Sequence, residues 1–159
     1  MEFMGEVLKK RLKQSKFENL DQEVALNLLV SAYFLRSKHD EVMLKFGLTL
    51  PQYNVLRILK GVYPEGHPRC EIIDRMIEPA PDVTRIIDRL IKEKLVERFA
   101  SATDKRLSMT RITEKGIKLI EKTNPEVQAL SNLISSTLSN SEKKTLSDLL
   151  EKIYEQEVK

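Results

Sequence analysis

A short hairpin pattern near the middle of the chain constrains its fold most. Residues 95–100 and 107–112 each mix apolar and polar side chains over the length of a strand, and the residues between them are polar and turn-forming. Thr113 then offers a hydroxyl that can cap a helix. The segment predicts a β-hairpin that leads directly into a helix. Its tip carries Lys105 and Arg106, which suggests a nucleic acid partner.

Composition favours a helical, cytoplasmic protein. The chain has 159 residues, of which 41% are hydrophobic and 32% charged, with five glycines and no tryptophan. Its longest nearly apolar stretch, residues 25–35, is too short to span a bilayer, and the N-terminus lacks the pattern of an export signal. With one cysteine, Cys70, no intramolecular disulfide can form. We therefore expect no membrane partner and a cytoplasmic location.

Helical patterns occupy both ends of the chain. From Ala25, apolar or small residues recur every three or four positions and predict a helix of about 25 residues that Gly47 ends. Residues 49–52 form a capping box with proline in the first turn of a second helix. At the other end, residues 113–138 and 141–157 predict two helices, with breaks at Asn124-Pro125 and at Ser139-Asn140-Ser141.

The middle of the chain predicts a compact unit. Residues 61–68 are typical of a loop, and a short helix follows over about 69–77 until Pro79-Ala80-Pro81 interrupts it. A helix from about Asp82 to Glu93 then precedes the hairpin. Positive charge is concentrated in residues 50–112 and in the first 16 residues, where a polyanion would bind, although an ordinary mixed-charge surface explains the charge distribution equally well. The N-terminal arm itself is interpreted as a disordered or solvated tail.

The helix from Asp82 has one apolar and one polar face. Its apolar residues are expected to be buried, which leaves Asp82, Thr84, Arg85, Asp88, Arg89 and Lys92 outside. Arginine can bind guanine O6 and N7, and threonine can contact a phosphate or a thymine methyl group, so Thr84 and Arg85 suit the reading of base edges. A solvated amphipathic helix explains the same residues equally well when the helix is considered alone.

Two segments resemble the MarR family of bacterial transcription regulators. They are PDVTRIIDRLIKEKLVERFASATDKRLSMTRITEKG, at 81–116, and GLTLPQYNVLRILKG, at 47–61. The resemblance implies a mainly α fold with a small β-wing, a winged helix-turn-helix between long N- and C-terminal dimerisation helices. It also implies a homodimer that binds a pseudo-palindromic site in double-stranded DNA.

The resemblance also suggests roles for residues of the wing. Arg106 matches the wing arginine that enters the minor groove, Asp104 would orient it, and Lys105 would contact a phosphate. Asp88 and Arg98 match positions that fix the wing against the recognition helix, although a surface ion pair of little energetic value is an alternative. The predicted DNA-binding residues are Asp82, Thr84, Arg85, Arg89, Lys92, Lys105 and Arg106.

The chain departs from the family pattern at several positions. Lys94 occupies a position where the family usually has glycine, so it must take a left-handed conformation or end the helix differently. Ile73 replaces a small residue, Pro79 and Pro81 replace a hydroxyl-rich turn, and the loop at 61–68 is longer than expected.

Other residues suggest regulation more weakly. His39, Tyr53 and Arg57 are candidates for binding a small aromatic or anionic effector, although core packing and surface exposure explain them as well. Cys70 is more simply a buried or idle thiol than an oxidation sensor. The sequence contains no Cys/His cluster with metal-ligand spacing and no catalytic motif, so we expect no metal, no cofactor and no enzymatic activity.

The sequence thus predicts a homodimeric transcriptional regulator, a repressor that an effector releases from DNA. The alternative is a winged-helix module that has lost DNA binding and interacts with proteins. The predicted domains are a basic arm over 1–16, a dimerisation helix over 17–48, a DNA-binding domain over 49–112 and dimerisation helices over 113–159.

Overall fold

A computed structural model describes residues 5–78, 82–101 and 107–155 of the chain. The elements follow in the order α1 (Glu6–Leu12), α2 (Leu20–Lys45), α3 (Leu50–Lys60), β1 (His67–Pro68), α4 (Arg69–Asp74), α5 (Val83–Lys92), β2 (Val96–Ala100), β3 (Ser108–Ile112), α6 (Glu114–Ser135) and α7 (Asn140–Tyr154). The chain divides into two compact units, one up to Glu41 and one from Val42.

The first unit contains α1 and most of α2. Where the sequence was interpreted as a tail, α1 forms a short helix that buries Leu8 and ends at Lys13, whose φ of 53° is left-handed. The interpretation of residues 6–12 as a disordered tail was therefore wrong, because a helix that buries Leu8 can keep Lys10 and Arg11 exposed. Much of the apolar surface of α2 in this unit is exposed, namely Leu20, Val24, Leu29, Tyr33 and Phe34.

The second unit is built around α3. The capping box at its start is present, since Thr49 accepts a hydrogen bond from the backbone of Gln52 while the Gln52 side chain accepts one from the backbone of Thr49. Seven of its eleven residues are buried. The core around it includes nine residues that are at most 3% exposed: Val55, Leu56, Leu59, Ile72, Ile87, Leu90, Val96, Ile112 and Ile120.

A three-stranded antiparallel sheet of order β1-β3-β2 lies against this core. The predicted hairpin is present, and in it Val96 pairs with Ile112 and Ala100 with Ser108. The loop predicted at 61–68 ends in a strand, because His67 pairs with Thr110 and Pro68 with Met109. The prediction of a mainly helical winged helix-turn-helix with a small β-wing is confirmed.

The C-terminal helices differ from the prediction in one respect. The expected break at Asn124-Pro125 was wrong, since α6 continues through Pro125. Proline removes one backbone donor, but the helix continues on both sides of it. Thr123, which is fully buried, donates its hydroxyl to the carbonyl oxygen of Ile120 at 2.7 Å just before this point. The break at Ser139 is confirmed, and Ser139 forms a capping box with Glu142.

Candidate nucleic-acid interface

Helix α5 follows the short helix α4, as a recognition helix follows its bracing helix in a helix-turn-helix. Asp82 caps α5, accepting a hydrogen bond from the backbone of Arg85 at 3.1 Å. Val83, Ile87 and Leu90 anchor the helix in the core, and Ile86 and Ile91 are partly buried against it. This pattern leaves Arg85, Arg89 and Lys92 exposed, whereas Thr84, which was predicted to lie outside, is half-buried.

The two exposed arginines of the recognition helix pair with carboxylates on the same helix. Arg85 Nε lies 2.8 Å from Asp82 Oδ2, with 88% of the arginine side chain exposed. Arg89 Nε lies 3.4 Å from Glu93 Oε1. Exposed pairs of this kind contribute little stability, so both guanidinium groups can exchange their carboxylates for a base edge or a phosphate. The side chain of Lys92 is also exposed.

A hydrogen bond that the sequence interpretation missed connects α4 to α5. Arg69, the first residue of α4, donates from Nη1 to Oγ1 of Thr84 at 3.1 Å. The two residues are 15 positions apart, and neither periodicity nor a motif indicated their contact. The only signal was a basic residue at the start of the bracing helix.

Asp88 and Arg98 link the recognition helix to the wing. Arg98 Nη2 on β2 lies 2.8 Å from Asp88 Oδ1 on α5. Within the wing, Arg111 Nε lies 2.6 Å from Glu97 Oε1, and its guanidinium lies 4.8 Å from the centroid of the Phe99 ring. Asp104, Lys105 and Arg106 fall outside the described residues, as do Pro79 and Pro81, so their roles remain sequence predictions.

The wing leaves the recognition helix through a left-handed residue. Lys94 has φ of 58°, its backbone N–H donates to Ile91, and that of Leu95 donates to Leu90. This is a Schellman motif, in which glycine usually takes the position of Lys94. The carbonyl oxygen of Lys94 accepts the Thr113 hydroxyl at 2.8 Å, and that of Glu93 accepts Lys115 Nζ at 2.7 Å. Thr113, which caps α6, and Lys115 therefore fix Glu93 and Lys94, the residues between α5 and β2 that form the root of the wing.

The candidate effector residues have different environments. Tyr53 is part of the core, where burial raises the pKa of its phenol while the nearby Arg57 charge lowers it less. Arg57 is exposed and donates to Asn54 Oδ1 at 3.1 Å. His39 belongs to the first unit, and its Nδ1 atom is buried without a hydrogen-bond partner in the part of the chain that the structure describes. An effector role for these three residues remains a prediction.

Three further observations concern the thiol of Cys70, metal binding and membrane crossing. Cys70 is exposed, so of the two interpretations, a buried or an idle thiol, the first was wrong, because the residue lies on the outer side of a helix that buries Ile72 instead. Among residues 5–78, 82–101 and 107–155, no cluster of histidine, cysteine and carboxylate side chains has a metal-binding arrangement. Within the same ranges, none of the helices has both the length and the apolar character for crossing a bilayer.

Comparisons with known proteins identify the family. No family model matches the chain. The HTH-type transcriptional regulator MhqR of Bacillus subtilis is 32% identical to it over 110 residues, which are 69% of this chain and 74% of that protein. A MarR transcription factor from Planctomyces limnophilus is 33% identical, with a TM-score of 0.65 over 86% of this chain and 98% of its own.

A more distant structure shares the fold. S. aureus MepR, solved as a DNA complex, is 23% identical, with a TM-score of 0.75 over 83% of this chain and 96% of its own. The sequence relatives are transcription regulators. The order of α4, α5 and the wing strands in this chain is that of a winged helix-turn-helix, which agrees with this relationship. This chain belongs to the MarR family of DNA-binding transcription regulators.

Proposed function

We propose that the protein is a homodimeric repressor that binds a pseudo-palindromic operator and is released by a small aromatic or anionic effector. The observation that carries the proposal is the 88% exposure of the Arg85 side chain in the first turn of α5, directly after its cap at Asp82 and beside the half-buried Thr84. In a helix-turn-helix, the N-terminal residues of the recognition helix contact base edges. Because its target is genomic DNA, we place the protein in the cytoplasm.

The dimer is supported by the apolar surface of α7. Leu146, Leu149, Ile153 and Tyr154 are between 43% and 56% exposed, and α7 contains no buried residue. These four side chains recur at helical spacing, so they form one stripe that a second copy of the chain can cover. Two recognition helices in one dimer would bind half-sites about 10 base pairs apart, which is one turn of DNA.

The proposed function is tested by selecting bound fragments from random DNA with the full chain. We expect an enriched inverted repeat with half-site centres about one helical turn apart. Affinity for that site should fall by roughly 10³-fold or more between 50 and 200 mM salt, because several phosphates are neutralised per dimer. Failure to enrich any sequence would contradict the proposal and favour the protein-interaction module.

Repression and release need their own measurements. A reporter promoter that carries the selected site should be less active when the protein is present. Titration with small aromatic acids such as benzoate should lower the affinity for the site. If these compounds change neither DNA affinity nor thermal stability, the effector part of the proposal is wrong, whereas DNA binding stands.

A further inference from the structure

A cavity of about 300 Å³ lies where the bracing helix α4, the recognition helix α5 and the wing strands meet. Its floor includes Ile87, which is buried, and its other lining residues carry guanidinium or hydroxyl groups: Arg69, Thr84, Arg98, Ser108 and Thr110. The volume is well above the ~30 Å³ that one water molecule takes in the liquid, so a tetrahedral anion fits. All of its residues belong to the second compact unit.

The hydrogen bonds around the cavity leave donors available to an anion. A guanidinium has five N–H groups, and in the described part of the chain the Thr84 hydroxyl accepts one of those of Arg69. Since the Thr84 oxygen accepts this bond, its own hydrogen can still donate. Ser108 adds a second hydroxyl at the edge of the cavity. Arg69 and Thr84 therefore form a short chain of donors.

The charge of the cavity also favours an anion. Arg69 and Arg98 bring two positive charges, and the carboxylate of Asp88, 2.8 Å from Arg98, offsets one of them. This ion pair holds Arg98 in place. Because the Asp88 carboxylate neutralises Arg98, it does not neutralise the charge of Arg69. Planar guanidinium groups beside hydroxyls are the usual protein donors to phosphate oxygens.

We propose that this cavity binds one backbone phosphate of the operator in each protomer, with Arg69 as the principal donor and Thr84 and Ser108 as supporting donors. This inference rests on the proposed function and extends it to a residue that the sequence interpretation did not include. The phosphate lies between the segment that enters the major groove and the wing. It fixes the register of the protein on DNA and carries no sequence preference of its own.

The first test is the salt dependence of DNA binding by Arg69→Gln. The amide keeps polarity at the site but removes the charge, so the slope of log affinity against log salt should become shallower by about 0.9 per lost phosphate, or about 1.8 per dimer. The matched control is Arg75→Gln, which removes the same charge from the end of α4, where Arg75 contacts Glu71 rather than the cavity. The control should keep the wild-type slope. An R69Q slope equal to that of the wild type would overturn the inference.

The second test locates the phosphate. Single backbone phosphates of the selected operator are replaced by neutral methylphosphonates, one position at a time. One position in each half-site should weaken the wild type and leave R69Q unaffected, because that variant no longer uses the charge there. Equal losses for wild type and R69Q at every position would overturn the inference while the proposed function stands. Absence of DNA binding by the wild-type chain would instead overturn the proposed function and the inference with it.

Discussion

Arg98 Nη2 lies 2.8 Å from Asp88 Oδ1, so an ion pair joins a wing strand to the recognition helix. Both side chains are more than 40% exposed, and such pairs contribute less than about 1 kcal/mol to the free energy of unfolding. We expect Asp88→Asn to cost no more than that in urea unfolding. The same substitution should lower DNA affinity by about tenfold, or ~1.4 kcal/mol, because the wing loses its fixed angle. The effect on DNA binding should therefore exceed the effect on the free energy of unfolding.

The control for this prediction is Glu97→Gln, which breaks the 2.6 Å pair with Arg111 inside the wing sheet without touching α5. It should lower DNA affinity less than Asp88→Asn does. Equal effects of the two substitutions on DNA binding would argue against a role of Asp88 in positioning the wing.

Lys94 takes a backbone conformation that suits glycine. A left-handed conformation costs a residue with a side chain about 1–2 kcal/mol, and glycine avoids this cost. Part of the resulting gain in stability is offset by the greater freedom of glycine in the unfolded chain. Lys94→Gly should therefore raise the free energy of unfolding by about 0.5–1 kcal/mol at equal protein concentration. Lys94→Ala removes the same charge without relieving φ and should give no gain. Stabilisation by alanine equal to that by glycine would show that charge, not backbone conformation, is responsible.

Thr113 has two functions at the root of the wing. Its hydroxyl accepts from the backbone of Gly116 at 3.2 Å, which caps α6, and donates to the carbonyl oxygen of Lys94. Thr113→Val keeps the shape of the side chain and removes these bonds, together with a third contact from the hydroxyl to the carbonyl oxygen of Leu95 at 3.1 Å. We expect a loss of about 1–2 kcal/mol in the free energy of unfolding. Thr113→Ser retains the hydroxyl and should recover most of the loss; a serine variant as unstable as the valine variant would contradict this assignment.

Arg106 is predicted from the resemblance to enter the minor groove. Narrow A·T-rich segments concentrate negative potential there, so Arg106→Ala should weaken binding most at operators with A·T-rich flanks. Lys105→Ala is the matched comparison, since loss of a phosphate contact should weaken binding uniformly across flanking sequences. Affinities are measured on operators that differ only in their flanks. An unchanged flank preference in R106A would refute the minor-groove role.

Glu142 makes α7 sensitive to acid. The hydroxyl and then the backbone N–H of Ser139 donate to its carboxylate, and these bonds lower the pKa of Glu142 below its ordinary value. The stabilisation is present above the pKa of the unfolded chain, about 4.3 for glutamate, and is lost as pH falls through the lower folded value. In Ser139→Ala, the pKa of Glu142 measured by NMR should return toward the ordinary value. Ser147→Ala on the same helix should leave it unchanged, and equal shifts in both variants would contradict the assignment.

The parts of the fold that local chemistry determines could be predicted from the sequence. The caps at Thr49, Asp82 and Thr113 depend on residues three positions apart, and the hairpin follows from two strand-length runs around a short polar stretch; the structure contains all of them. Strand β1 could not be predicted, because two residues have no periodicity and their strand conformation depends on pairing with β3. Pro125 predicted a break, but a helix that packs in a core tolerates one missing backbone donor.

The candidate site was predictable to a similar extent. The pattern of α5 separated its buried residues from its exposed ones, since amphipathic periodicity directly reports burial. Arg69 was missed because its contact with Thr84 arises only when α4 and α5 fold against each other. The sequence also did not indicate that His39 belongs to one compact unit and Tyr53 and Arg57 to the other.

Strand β1 also protects the wing from unwanted association. An unpaired strand edge is a template on which another chain can add a strand and begin to aggregate. The two residues of β1 cover one edge of β3, and the second of them, Pro68, lacks the backbone N–H that a further strand would need. The chain can thus display a β-hairpin at its surface without offering that side of the sheet for growth into larger assemblies.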